Sequence, residues 1–168
     1  MSGEAEAPIA YAVRPAEPRD VAALTALIRA LNIQQGDPTD RVTPERVLAD
    51  LIEGGAGGAC HVAEGGGRLL GYGTAFRTYE TGFAARGRYV GDLYVVASQR
   101  RRGIARAILS SFARLVRAEG GDHLWLTAKT WNVGAHALYR SHGALGEQVL
   151  AFAIVEDRLA KLAAGHGG

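Results

Sequence analysis

A chain of 168 residues with 48% hydrophobic and 21% charged residues has the size and composition of one folded domain able to bury a core. Its net charge of +2 is modest for a nucleic-acid binder, and its one cysteine excludes an intrachain disulfide or a thiolate metal cluster. No apolar run reaches the roughly 18 residues of a membrane span, and Met1 to Ala7 lack the basic start and apolar stretch of a signal peptide, so the expectation is a cytoplasmic protein without membrane attachment.

Residues 1–8 and 163–168 read as disordered flanks of a single domain over 9–162. Ile9 to Arg14 alternates and stops at Pro15, as a first strand would. Pro18 and Asp20 suit the first turn of a helix whose Val21, Leu24, Leu27, Ile28 and Leu31 make one apolar face. The polar stretch Asn32 to Arg41, with Gly36-Asp37-Pro38, reads as a loop. Thr43 and Pro44 then open a second helix that Gly54-Gly55 ends. Cys60 to Ala63 and Leu69 to Phe76 flank Gly65-Gly66-Gly67 as a hairpin, with Tyr79 and Glu80 placed beyond its second strand. In this strand-like run Cys60 reads as a small buried thiol. Arg88 to Val96 supplies a central strand, and a helix with Ile104, Ile108, Leu109, Phe112 and Val116 inward follows to about Glu119. His123 to Lys129 reads as a strand, Val133 to His142 as a helix, Ala144 to Val155 as a strand and Val155 to Leu162 as a closing helix. This order is a mixed α/β plan around one central sheet.

Between the central strand and its helix lies Arg100-Arg101-Arg102-Gly103-Ile104-Ala105-Arg106. A glycine turn that opens a helix offers unpaired N–H groups and the positive end of the dipole, and phosphate is the natural guest. The arginines add long-range attraction for a polyanion without fixing its position. An ordinary basic helix start is the competing reading. The five histidines include no pair three or four residues apart, so no helical face presents two metal ligands, and no metal is expected.

A second motif follows in Trp131-Asn132-Val133-Gly134-Ala135-His136-Ala137-Leu138-Tyr139-Arg140-Ser141-His142-Gly143-Ala144. Asn132 is a good helix cap, Gly134 and Ala135 leave room for a ligand against the helix, and Tyr139 lies about two turns beyond Asn132 on nearly the same face. The two motifs, in this order, resemble the Arg/Gln-x-x-Gly-x-Gly/Ala and Asn-x-x-Ala-x-x-Leu/Phe-Tyr elements of the GCN5-related N-acetyltransferases. Tyr89-Val90-Gly91-Asp92-Leu93-Tyr94-Val95 and Trp131-Asn132 are most similar to the diamine and polyamine acetyltransferase branch. The chain departs from that branch at Gly91, near Lys129 and in the short Leu145-Gly146-Glu147-Gln148, where acidic or tryptophan residues are usual.

The resemblance implies a mostly antiparallel sheet flanked by helices, with splayed fourth and fifth strands between which acetyl-coenzyme A, the acyl donor, lies. It places the pyrophosphate on the amides from Arg100 to Arg106, with Asn132 and Ala135 also beside the donor. It puts a main-chain N–H of Val95 or Val96 at the acetyl carbonyl, and it implies a homodimer. Acetyl transfer to an amine needs a neutral nucleophile, a polarised carbonyl and a proton for the departing thiolate. Tyr139 is the candidate acid: a phenol of pKa about 10 stays protonated at neutral pH and donates to a thiolate whose acid is near 8.5. Asp92 is the candidate carboxylate for a cationic amine, sharing a strand face with Tyr94. Asn32, Gln35 and Tyr79 are further candidates for the acceptor pocket, and Trp131 for its wall. The acceptor expected is a small-molecule amine. A protein amine, or a non-catalytic module that only binds the donor, remains open.

Overall fold

In a computed structural model, residues 9–165 are described; the expected disordered flank 1–8 and residues 166–168 of the other lie outside them, while Ala163 is the last residue of a helix. The fold groups into one compact unit ending at Lys129 and a second beginning at Thr130.

The first unit is built on a five-stranded sheet, β1 (Ala12–Pro15), β2 (Gly58–Gly65), β3 (Arg68–Glu80), β4 (Ala85–Val95) and β5 (His123–Leu126), in that spatial order. Neighbours run antiparallel except β4 and β5, which are parallel. The β2–β3 hairpin turns at Gly66-Gly67, where φ is +58° and +72°, as a tight two-residue turn requires at both central positions.

Helix α1 (Val21–Gln35) packs on one face of the sheet, where Leu24, Ile28 and Leu31 meet Val47, Cys60, Val62, Leu69 and Tyr72. It runs past the expected loop start at Asn32, because Asn32 to Gln35 tolerate helix and the first true stop is Gly36, at φ +76° with its N–H on the Asn32 and Ile33 carbonyls. Helix α2 (Pro44–Arg46), capped by Thr43, continues as a π-helical turn over Val47–Ile52. Helix α3 (Ile104–Ala118) covers the other face with Ile104, Ile108, Leu109, Phe112 and Val116 buried, as its periodicity predicts. It packs so closely that a Cβ on Gly73 would lie 2.8 Å from Ile108 and 2.9 Å from Phe112. His61 faces α3 as well, stacked on Phe112 with Nδ1 2.7 Å from Ser111 Oγ.

Charge holds the sheet to its helices at two places. Arg14 reaches Asp20 Oδ1 and Oδ2 at 2.8 and 2.7 Å and Glu64 Oε2 at 2.6 Å, joining β1, β2 and the start of α1. Arg88, buried, donates to the Ala75 carbonyl and to both Glu119 oxygens at the end of α3.

The second unit carries α4 (Val133–Arg140) and α5 (Glu156–Ala163). The strand expected over residues 144–155 is absent: no ladder partner meets it among the described residues, and Leu150 and Phe152 stand 84% and 88% exposed. Alternation alone does not make a strand whose N–H and C=O groups have nothing to pair with.

Candidate functional site

The site grows from an irregularity in β4. Gly73 pairs with Leu93 but Ala75 pairs with Val90, so Thr74 alone opposes two residues, Gly91 and Asp92. This is a β-bulge, which bends the strand and increases its local twist. The parallel partner leaves at the same point: β5 pairs with Gly87 to Val90 and no further. Among the described residues, no strand pairs with the edge of β4 that faced β5 from Gly91 to Val95. The Val96 N–H donates to the Leu70 carbonyl at 2.9 Å, and the alternation of an antiparallel ladder therefore turns the Leu93 and Val95 amides outward onto that open edge. Of the two amides expected at a carbonyl, Val95 faces the gap and Val96 is engaged in the sheet.

β4 runs through a 3-10 turn (Ala97–Gln99) into the arginine segment. Arg101 (φ +64°) and Gly103 (φ +79°) are both left-handed, and the Tyr11 hydroxyl donates to the Arg102 carbonyl at 3.3 Å. Gly103 caps α3 with no side-chain acceptor, and the first paired amide is Ala107, on the Gly103 carbonyl. The amides of Gly103, Ile104, Ala105 and Arg106 are thus the unpaired helix start. A Cβ on Gly103 would sit 3.3 Å from Tyr11 Oη. Arg101 and Arg106 are exposed, while the Ile104 side chain is core and only its amide serves the turn. Arg100 turns away from the helix start: Nε donates to the Val95 carbonyl at 3.0 Å, Nη2 to Gln34 Oε1 at 2.8 Å, and the guanidinium lies 5.8 Å from the Tyr94 ring centre.

On the α1 face, Tyr72 and Tyr94 stand opposite one another with ring centres 6.3 Å apart. The Tyr72 hydroxyl donates to Asp92 Oδ2 at 3.2 Å, and the Asp92 N–H donates to Thr74 Oγ1 at 3.0 Å. Burial raises the Asp92 carboxyl above the usual carboxylate range, the Tyr72 hydrogen bond opposes this, and Asp37 adds to the rise. Beneath it Cys60 is buried and pushed up to about 12, chiefly by desolvation, so it is a packed thiol with no nucleophilic character. A Cβ on Gly91 would meet Thr74 Oγ1 at 3.1 Å and Phe76 at 3.2 Å, a tight fit for any larger side chain.

The end of α1 lies beside this face. Asn32 and Gln35 belong to the last turn of α1, which corrects their expected place in a loop. Asn32 Nδ2 braces the turn on the Pro38 carbonyl at 2.7 Å, and Lys129 Nζ donates to the Gln35 carbonyl at 3.1 Å with Asp37 Oδ1 at 3.8 Å. Tyr79 stands elsewhere. It is inside β3, opposite Arg86, so about 20 Å along β4 from Asp92, next to an open cavity of about 470 Å³ lined by Arg77, Thr78, Arg86 and Glu119. In the second unit, Asn132 Oδ1 accepts the Ala135 N–H at 3.1 Å and caps α4 as expected, Tyr139 is half-buried near the helix end, and Trp131 is 56% exposed. Tyr72 and Gln34 were absent from the expected site. Tyr72 is 20 residues from Asp92 in the chain, and only the β3–β4 register brings them together.

An open strand edge that leads through a glycine turn into an uncapped helix start suits an extended ligand ending in phosphate, and the chain belongs to the acetyltransferase (GNAT) family, whose model matches residues 25–144. Over 76 residues it is 33% identical to the thialysine N-epsilon-acetyltransferase of Bos taurus, covering 45% of this chain and 44% of that protein. The chain is thus matched to less than half the length of this relative. Among solved structures it resembles an aminoglycoside acetyltransferase from an uncultured soil metagenomic sample (TM-score 0.73, 18% identity, 88% of this chain and 97% of that one). It also resembles the ribosomal-protein-alanine N-acetyltransferase of Brucella melitensis biovar Abortus 2308 (TM-score 0.68, 22% identity, 86% and 100% covered). At such identities the likeness is one of fold.

Proposed function

We propose that the protein is an N-acetyltransferase that moves the acetyl group of acetyl-coenzyme A to a primary amine of a small, diamine-like or amino-acid-like molecule by direct attack. The observation that carries this reading is the β4 strand itself, with an edge free of ladder partners beyond the bulge and a half-buried carboxylate, Asp92, beside it. The residues suit the donor. The amides from Gly103 to Arg106 would hold the pyrophosphate, with Arg101, Arg102 and Arg106 supplying attraction, and the outward Leu93 amide would pair with the pantetheine arm. Asn132 and Ala135 complete that set by resemblance. When bound, the donor supplies an activated thioester.

The chain's own groups do the rest. Asp92 receives the ammonium and takes a proton from it, leaving the neutral amine to attack the thioester carbonyl, and Tyr94 supplies an aromatic wall. Gln35 and Asp37 at the end of α1 bound the same side, with Lys129 balancing Asp37. The Val95 amide polarises a carbonyl placed against the open edge. The Tyr139 hydroxyl holds the proton that a departing thiolate takes.

Thiol release from acetyl-coenzyme A, measured with thialysine, spermidine, an aminoglycoside and a peptide bearing a free N-terminus, tests this. Turnover is expected with a small amine, falling by about a hundredfold or more in Tyr139→Phe while the donor still binds. Turnover with the peptide alone, or with none of the four, overturns the acceptor class.

A further inference from the structure

The Asp92 carboxylate sits where a carboxylate is costly. It is half-buried, it stands on a bulge, and its backbone N–H is spent on Thr74 Oγ1, a side chain itself 2% exposed. The Tyr72 hydroxyl donates to one of its oxygens, from a ring that is fully buried among Leu24, Ile28, Leu31 and Val62 and cannot swing away. Such an arrangement fixes the phenol first and the carboxylate by it.

We infer that Tyr72 is a positioning residue of the acceptor site, its hydroxyl holding Asp92 Oδ2 in one orientation and in its charged form so that the carboxylate can receive an ammonium. This rests on the reading of Asp92 given above. The geometry assigns Tyr72 no contact with the reacting groups. Its hydroxyl is a donor only, since burial and the neighbouring Asp92 charge drive its own ionisation far out of range.

The groups around Asp92 make the effect readable. From the loop after α1 comes Asp37, which opposes the charge, with Lys129 beside it; from β2 comes Cys60, neutral at working pH; from β4 comes Tyr94, with the Arg100 guanidinium over its ring. Asp20 lies farther off and is neutralised by Arg14. Nothing in this set replaces the Tyr72 hydrogen bond once it is removed. Tyr72→Phe keeps the ring and loses one oxygen, leaving the carboxylate more easily protonated.

The test compares kcat/KM against pH for the full chain, Tyr72→Phe and Asp92→Asn, with thialysine and acetyl-coenzyme A. The expected result is an acidic limb displaced to higher pH by about one unit in Tyr72→Phe, KM for the amine raised about tenfold at pH 7 and converging with the parent above pH 9, and KM for the donor unchanged. Asp92→Asn abolishes that limb. If the limb persists in Asp92→Asn, the role given to Asp92 is wrong. If it vanishes there but stays in place in Tyr72→Phe, only the inference about Tyr72 falls. A measurement independent of the acceptor is the NMR titration of the Asp92 carboxyl carbon in the unsubstituted protein and in Tyr72→Phe: a midpoint that moves upward in the variant is expected, and one that stays in place overturns the inference.

Discussion

Gly103 shows how a single residue can be required twice. Its φ of +79° lies where an L side chain costs about 1–2 kcal/mol, and a Cβ would press on Tyr11 Oη, whose hydroxyl holds the loop through the Arg102 carbonyl. Gly103→Ala is therefore expected to lower stability by about 1 kcal/mol and to weaken acetyl-coenzyme A binding at least tenfold, because the same amide begins the anion cradle. Calorimetric titration beside thermal melting checks this, and unchanged affinity would detach the turn from the donor. The need for glycine here was legible in the motif. The distribution of labour among the arginines was not: Arg100 lies in the same run as Arg101 and Arg102, yet its side chain returns to Val95, Gln34 and Tyr94. Like charges in a row look alike until the backbone turns each one, and here Arg101 itself takes a left-handed conformation.

Among the elements, the β3–β4 pair and the end of α3 depend on a shared charge. Arg77 and Arg88 stand directly opposite one another, a repulsive cross-strand pair that Glu119 relieves by accepting from both. Their hydrogen bonds hold the Glu119 carboxyl down at about 2, below its usual 4.5. A lowered folded-state value means that the stabilisation is complete above about pH 5 and is lost as pH falls toward 2. Glu119→Gln should thus cost about 2 kcal/mol at neutral pH, less than the about 3–5 of a fully buried pair because Glu119 remains 30% exposed, and the difference should vanish near pH 2. Chemical denaturation across that range checks it; a difference constant with pH would remove the ion pair as the cause. The helices were well read from periodicity and caps, since those signals are local. The strands were read less well. β3 extends to Glu80 and pairs with a β4 that begins at Ala85, after only four intervening residues, where the sequence suggests two separate runs. Pairing supplies the order there that Arg77 to Arg86 lack in hydrophobic pattern.

For the molecule as a whole, a ligand that binds only the native state must stabilise it. Acetyl-coenzyme A at a hundred times its dissociation constant is expected to add about 2.7 kcal/mol, a rise of several degrees in Tm measured by scanning calorimetry. No rise at millimolar concentration would sink the assignment of the open strand edge and helix start to this donor. The sheet divides the first unit into two ends of different character. One joins the bulge, Asp92, the open β4 edge and the start of α3; the other carries Tyr79 and the cavity between Arg77, Arg86 and Glu119.

From residue order alone came the helix faces, the glycine turn, the Asn132 cap, the hairpin at Gly66-Gly67 and the family, because each is written in neighbours a few positions apart. Tertiary structure alone decided that Thr74 opposes two residues of β4, that β5 departs at Val90, that Val95 rather than Val96 offers its amide, and that Tyr72 reaches Asp92. Those facts depend on register between strands, and register is set by the packing of two faces at once, on α1 and on α3, which no single stretch of chain encodes.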